Sequence, residues 1–179
     1  MWEWAVVGAG HARDGPGRPH GGLLQETMTK RLRKFFALDS EARALFLQAY
    51  YLLGAIRFAL LTSSFKRLTA SLTVHREAVG QAPLNAESLA MAHRIGWAVR
   101  TAARFTPWNS SCLVQVLAAQ RMLQKRGIAG AFYLGAATGS EEGEELGMSA
   151  HAWLICADDF ITGEPGHERY TVVSSFSWG

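Results

Sequence analysis

Cysteine and histidine are the residues in this chain that can do covalent chemistry near neutral pH without a metal, and one of each sits in a suggestive setting. Cys112 follows Asn109-Ser110-Ser111 and precedes Leu113, Val116 and Leu117. Either serine can cap a helix, and the apolar residues recur at helical spacing. A cysteine in a first helical turn lies among N–H groups that have no intrahelical partner, at the positive end of the helix dipole. Both effects favour the thiolate, the nucleophilic form. His151 lies in Ser149-Ala150-His151-Ala152-Trp153-Leu154, a strand-like run whose alanines leave the imidazole room to approach another element. There it could take a thiol's proton. Taken singly, each residue reads more simply as packing; together they make a nucleophile and a base.

Such a base works best when an acceptor holds its imidazole in one tautomer. Two acids downstream are candidates: Asp159, within what looks like a hairpin turn at Asp158-Asp159, and Glu164, followed by Pro165 on the return strand. Glu164 is expected to fill the role, because a residue on a neighbouring strand can reach the far ring nitrogen. Asp159 is held in reserve. Trp108 and Trp153 flank the proposed site and are expected to wall it against water and contact substrate. Cys156 shares the His151 strand and is expected to be a buried thiol. His11, His20, His75, His93 and His167 show no metal-ligand spacing such as HExxH, so neither a metal nor another cofactor is expected.

The elements that must position these groups follow from caps, breakers and periodicity. A short basic amphipathic segment runs from Met28 to Ala37. Asp39 or Ser40 then caps a long apolar helix reaching about Thr62. Residues 63–81 are compatible with one short helix carrying Leu68, Leu72 and His75. Asn85 caps a helix to about Arg104, with Leu89, Ala92, His93 and Trp97 as its stripe. The Cys112 helix ends at Gly127. Beyond it the period changes, and 131–137, 150–157 and 170–176 read as strands, the first two joined by an acidic loop with Glu141, Glu142, Glu144 and Glu145. Helices first and a small antiparallel sheet last make an α+β domain. Residues 1–27 are expected to be a tail or a segment upstream of a start at Met28, residues 28–105 a helical subdomain, and residues 106–179 the catalytic core.

The order Cys on a helix, His on a strand and an acid on the next strand resembles the transglutaminase-like, papain-related cysteine protease superfamily. More narrowly, five blocks are similar to the free-standing leader peptidases of bacterial lasso-peptide biosynthesis. They are Trp108-Asn109-Ser110-Ser111-Cys112-Leu113, Leu123-Gln124-Lys125-Arg126-Gly127-Ile128, Phe132-Tyr133-Leu134-Gly135-Ala136, Ala150-His151-Ala152-Trp153-Leu154 and Thr162-Gly163-Glu164. This resemblance implies a protease that removes the leader from a ribosomally made precursor, freeing the core amine for macrolactam closure by a separate cyclase. It implies Cys112 as nucleophile, His151 as general base and then acid, and Glu164 as the orienting acid, where the family usually has Asp. The implied partners are the precursor's leader peptide, a separate leader-recognition protein and the macrolactam cyclase. The acidic stretch Glu141 to Glu145 departs from the shorter loop of the family. Two other readings keep part of this picture: an acyl transferase or amidase in which an amine resolves the thioester, and a non-catalytic leader-binding module that uses Lys30 to Lys34 and the apolar helices.

Composition bounds the alternatives. With 179 residues, 49% apolar, 11% aromatic and 18% charged, the chain is neither disordered nor fibrous. A net charge of +3 does not announce nucleic-acid binding. Two cysteines are too few for a disulfide scaffold, which points to a reduced, cytoplasmic protein. Residues 42–61 are apolar over a length that could cross a bilayer, but Arg43, Gln48 and Arg57 interrupt the run. A buried core helix is expected rather than a membrane span.

Overall fold

A computed structural model of the chain describes residues 33, 35–75, 83–139 and 147–179. The expected tail 1–27, most of the basic segment 28–37 and the acidic residues Glu141 to Glu145 lie outside them. The chain divides into a unit at 1–37 and a unit at 38–179. In the first, Ala37 donates a backbone hydrogen bond to Arg33, and Phe35 and Phe36 meet edge to face. The second holds everything described below.

Helix α1 spans Ser40–Thr62 and starts where local chemistry dictates. The Asp39 carboxylate accepts from the Ala42 N–H at 2.7 Å, and Glu41 sits in the positive first turn. Ala42, Leu45, Ala49, Leu53 and Ile56, spaced three or four apart, are its buried face. By length and composition this helix could cross a membrane, with a mean hydropathy of 1.6 and 22% of the stretch buried. The expected core helix is therefore buried on one face only, and Leu47, Tyr51, Phe58 and Leu61 stay exposed along the other.

The short helix α2 covers Phe65–Leu68, and Thr73–His75 is a strand, β1. The single short helix expected across 63–81 is thus corrected: His75 belongs to the sheet, where it pairs with Ser175 and its Nε2 meets the Ser177 hydroxyl at 2.9 Å.

Helix α3, Ala86–Ala103, is capped by the Asn85 side chain, which accepts from the Ser88 N–H at 2.7 Å. Its buried face is Ala92, Ile95, Gly96, Ala98, Val99 and Ala102. The stripe expected through His93 and Trp97 is off by a rotation, since both residues are exposed. Close packing decides the matter. A Cβ at Gly96 would collide with the Ile161 backbone carbonyl, so the small-residue side must face inward.

Helix α4, Cys112–Gln124, is the central one. Val114, Val116 to Gln120, Met122 and Leu123 are all buried. It stops at Gly127 (φ +66°), where the Ile128 N–H bonds to Leu123 O and the Gly127 N–H to Gln124 O, a Schellman ending.

Strands β2 (Gly130–Gly139), β3 (Gly147–Cys156), β4 (Asp159–Thr162) and β5 (Thr171–Trp178) complete an antiparallel sheet of order β1-β5-β2-β3-β4. Its faces are unequal. The main core joins α1, α3 and α4 to Phe132, Ala152, Leu154, Cys156, Ile161, Phe176 and Trp178. The other face carries a smaller cluster of Ala131, Tyr133 and Trp153 with Ile155, Phe160, Tyr170 and Val172 against it. This is the expected α+β fold, and one core spans residues from both sides of position 105.

Candidate active site

Cys112 is the first residue of α4, half-buried, with a free thiol packed against the main core. Ser111 is the cap residue but makes no side-chain cap hydrogen bond, and its carbonyl receives the Gln115 N–H at 3.0 Å. The Gln115 side chain turns back to donate to the Ser110 carbonyl at 2.8 Å, pinning the approach to the helix. The Ser111 side chain therefore caps none of the first-turn N–H groups beside Cys112.

His151 stands half-buried on β3, an element that packs against α4. Its Nε2 lies 2.8 Å from the Gly163 carbonyl oxygen. A carbonyl can only accept, so the ring donates from Nε2 and, when neutral, keeps its lone pair on Nδ1. The ring lies against Tyr170 (centroids 5.2 Å apart) and Trp153 (6.0 Å). Alternation along the strand explains this. Ala152, Leu154 and Cys156 turn to the helical core, while His151 follows Trp153 toward the smaller cluster. No hydrogen bond joins Cys112 and His151, whose elements are in contact.

The acids behave differently from each other. Glu164 is exposed, and its main-chain carbonyl receives the His167 Nδ1–H at 2.7 Å. Its carboxylate acts on Arg100. Burial lowers the pKa of that guanidinium, Glu164 raises it, and Arg104 lowers it further. Arg100 in turn donates to the Ile161 carbonyl, tying α3 to β4. Thus the group on the His151 ring is the main chain of Gly163, one residue before the acid expected there. Asp159, the reserve acid, is engaged elsewhere: its Oδ2 is 2.7 Å from His93 Nε2 on α3.

The two tryptophans also separate. Trp153 lies beside His151 and stacks on Tyr133 at 5.7 Å. Trp108 packs on α1, 5.5 Å from Tyr50 and tight against Gly54, with its Nε1 buried and unpartnered among the described residues. Cys156 is fully buried, and desolvation pushes its thiol up to about 12. It cannot serve as a nucleophile at neutral pH, in line with the expectation for it. Among the described residues no group of His, Cys, Asp and Glu could hold a metal ion.

Sequence reasoning did not single out Gly163, Tyr170 or His167 as neighbours of the histidine. The His167 ring closes the cluster, 4.4 Å from Phe160 and 5.8 Å from Trp153. A signal existed in Gly163-Glu164-Pro165-Gly166, since closely spaced glycines and a proline mark the place where a strand must end.

The family model of the transglutaminase-like superfamily matches residues 52–175, and the chain belongs to that superfamily. That superfamily generally comprises cysteine peptidases and transferases, and the match suggests activity of this kind. No match was found among curated proteins or solved structures.

Proposed function

We propose that this protein is a cysteine peptidase that removes the leader from a ribosomally made lasso-peptide precursor, acting in the cytoplasm with Cys112 as nucleophile. The observation that carries the reading is the His151 ring, held through Nε2 on the Gly163 carbonyl and thus basic at Nδ1, within a transglutaminase-like fold whose α4 begins at Cys112. In this reading peptide binding brings the Cys112 thiol and the His151 ring, which share no hydrogen bond in the free protein and lie toward different faces of the sheet, within reach, and proton transfer to Nδ1 then gives the thiolate and an imidazolium. The thiolate adds to the scissile carbonyl, and N–H groups at the start of α4 receive the oxyanion. Collapse breaks the C–N bond, and the imidazolium hands its proton to the departing amine, the first residue of the core. Water, deprotonated by His151, then hydrolyses the thioester. Glu164 sits at the turn that holds the ring and is the orienting acid in this reading. Trp153 shields the ring on one side; Trp108 contacts the peptide only if it approaches from α1.

The leader peptide arrives with a separate recognition protein in this reading, and the exposed side of α1 is where that protein docks. The freed amine passes to a macrolactam cyclase. Mass spectrometry of a cognate precursor incubated with that partner and either wild-type protein or Cys112→Ala tests the proposal. Separate leader and core from wild type alone support it. Equal cutting by both proteins removes Cys112 from the mechanism. Binding of the leader without cutting by either makes the protein a leader-binding module, and a product joined to an added amine makes it an acyl transferase.

A further inference from the structure

Beside His151 the sheet has an edge that nothing in the described residues covers. β4 pairs with β3 only from Cys156 to Leu154. At Gly163 the chain adopts φ +76°, and Pro165 then offers no N–H, so the ladder ends and the chain moves into the 3-10 turn His167–Arg169. β3 nevertheless continues through Ala152, His151, Ala150, Ser149 and Met148, held on its other side by β2. A Cβ on Gly163 would strike the Ala152 carbonyl, so that carbonyl points to the β4 side. N–H and C=O groups alternate along a strand, and those of Ala150 and Met148 therefore point to the same open side. Both residues are exposed, Met148 at 78%, and no described strand pairs with β3 on this side beyond Leu154.

We infer that this edge is where the peptide substrate binds: an extended polypeptide adds to the sheet as a further strand along Met148 to Ala150, which delivers its carbonyl to the end of the edge where His151 sits. The occupant follows from the groups on offer. Alternating main-chain donors and acceptors at strand spacing match another backbone, and they are indifferent to side-chain identity. Continuity with the site selects a substrate over any other chain, because the open edge begins where the Gly163 carbonyl holds the catalytic ring. The small side chains of Ala150 and Ser149 leave the backbone accessible. This inference rests on the peptidase reading and adds the manner in which substrate is held.

Two arms of one experiment on the full chain separate the two ideas. In the first, cleavage of the cognate precursor is compared for wild type, Ala150→Pro and Ala150→Ser. Proline deletes only the outward N–H, whereas serine keeps it. Losing one substrate hydrogen bond and crowding the next predicts a fall in kcat/KM of roughly tenfold or more for Ala150→Pro, a larger fall than that of Ala150→Ser, which keeps the N–H. Iodoacetamide alkylation of Cys112 should be equal in all three, which reports an intact fold and thiol. In the second arm, amide exchange of Cys112→Ala is followed by mass spectrometry with and without a synthetic pool of random ten-residue peptides. Protection at 148–152 that Ala150→Pro abolishes supports strand addition even if no precursor is cut and the peptidase reading fails. Cutting that depends on Cys112 but is unaltered by Ala150→Pro overturns the inference and leaves the peptidase reading standing. Absence of protection at 148–152 overturns it too, as does a dimer of this chain that Ala150→Pro dissociates, since the edge would then serve a second copy.

Discussion

At the scale of single residues, the imidazole of His151 is oriented by a neutral main-chain carbonyl, with the nearby carboxylate standing exposed one residue further on. An exposed charge contributes little to its neighbours. Glu164→Gln is therefore expected to lower kcat/KM by less than about tenfold, whereas His151→Ala should cost about a hundredfold or more by removing the proposed base outright. Kinetics on a precursor would decide, and a loss for Glu164→Gln as large as that for His151→Ala would give the orienting role to the carboxylate. The second cysteine makes a separate prediction. Burial raises the Cys156 thiol to about 12, above the usual value of 9.0, so the folded protein holds that proton longer than the unfolded chain does. The resulting stability is complete below pH 9 and drains away as pH rises from there toward 12, with a slope of about 1.4 kcal/mol per pH unit at most. Denaturant melts of wild type and Cys156→Ala between pH 7 and 10 should show the wild type losing more stability across that span. Parallel curves would refute this linkage. Cys112 and His151 could be singled out from sequence because helix starts and strand alternation are local properties. The Gly163 carbonyl could not, because a backbone group has no residue-type signature and its position depends on where β4 stops.

At the scale of elements, the caps at Asp39 and Asn85 were readable because each is a contact within three residues. Removing one should show a correspondingly local cost: Asn85→Ala is expected to lower stability by about 1 kcal/mol while leaving Cys112 alkylation unchanged. Gly96→Ala is the sharper test, since backbone meets backbone there and neither can rotate away. A loss on the order of 1–3 kcal/mol is expected, against the small gain that Gly→Ala normally brings inside a helix. A neutral or stabilising result in a urea melt would mean that α3 and β4 are not pressed together at Ile161. The same contact explains why the stripe on α3 was misjudged. Ranking by hydrophobicity selects Trp97, but steric fit against β4 selects glycine and alanines, and that surface is not visible in α3 alone. β1 escaped for a related reason, since a three-residue strand has no periodicity and exists only through its pairing with β5.

At the scale of the whole molecule, the 38–179 unit has an apolar flank. Leu47, Tyr51, Phe58 and Leu61 recur at helical spacing on α1, and each is more than half exposed. A stripe of this kind marks an interaction surface or a tendency to aggregate. Tyr51→Lys with Phe58→Lys should reduce concentration-dependent association in sedimentation. Stability should stay within about 0.5 kcal/mol of wild type, because these side chains support nothing beneath them. A loss of several kcal/mol would instead place them in the core. The sheet order has a consequence in time. β1 takes its place only when β5 is present, and the bond between His75 and Ser177 spans 102 positions of chain. At a synthesis rate of roughly 5–20 residues per second, β1 leaves the ribosome on the order of ten seconds before the strand it needs. Through that interval Val74 and its neighbours have no sheet to join, and the nascent chain depends on its helices, or on a chaperone, to stay out of trouble.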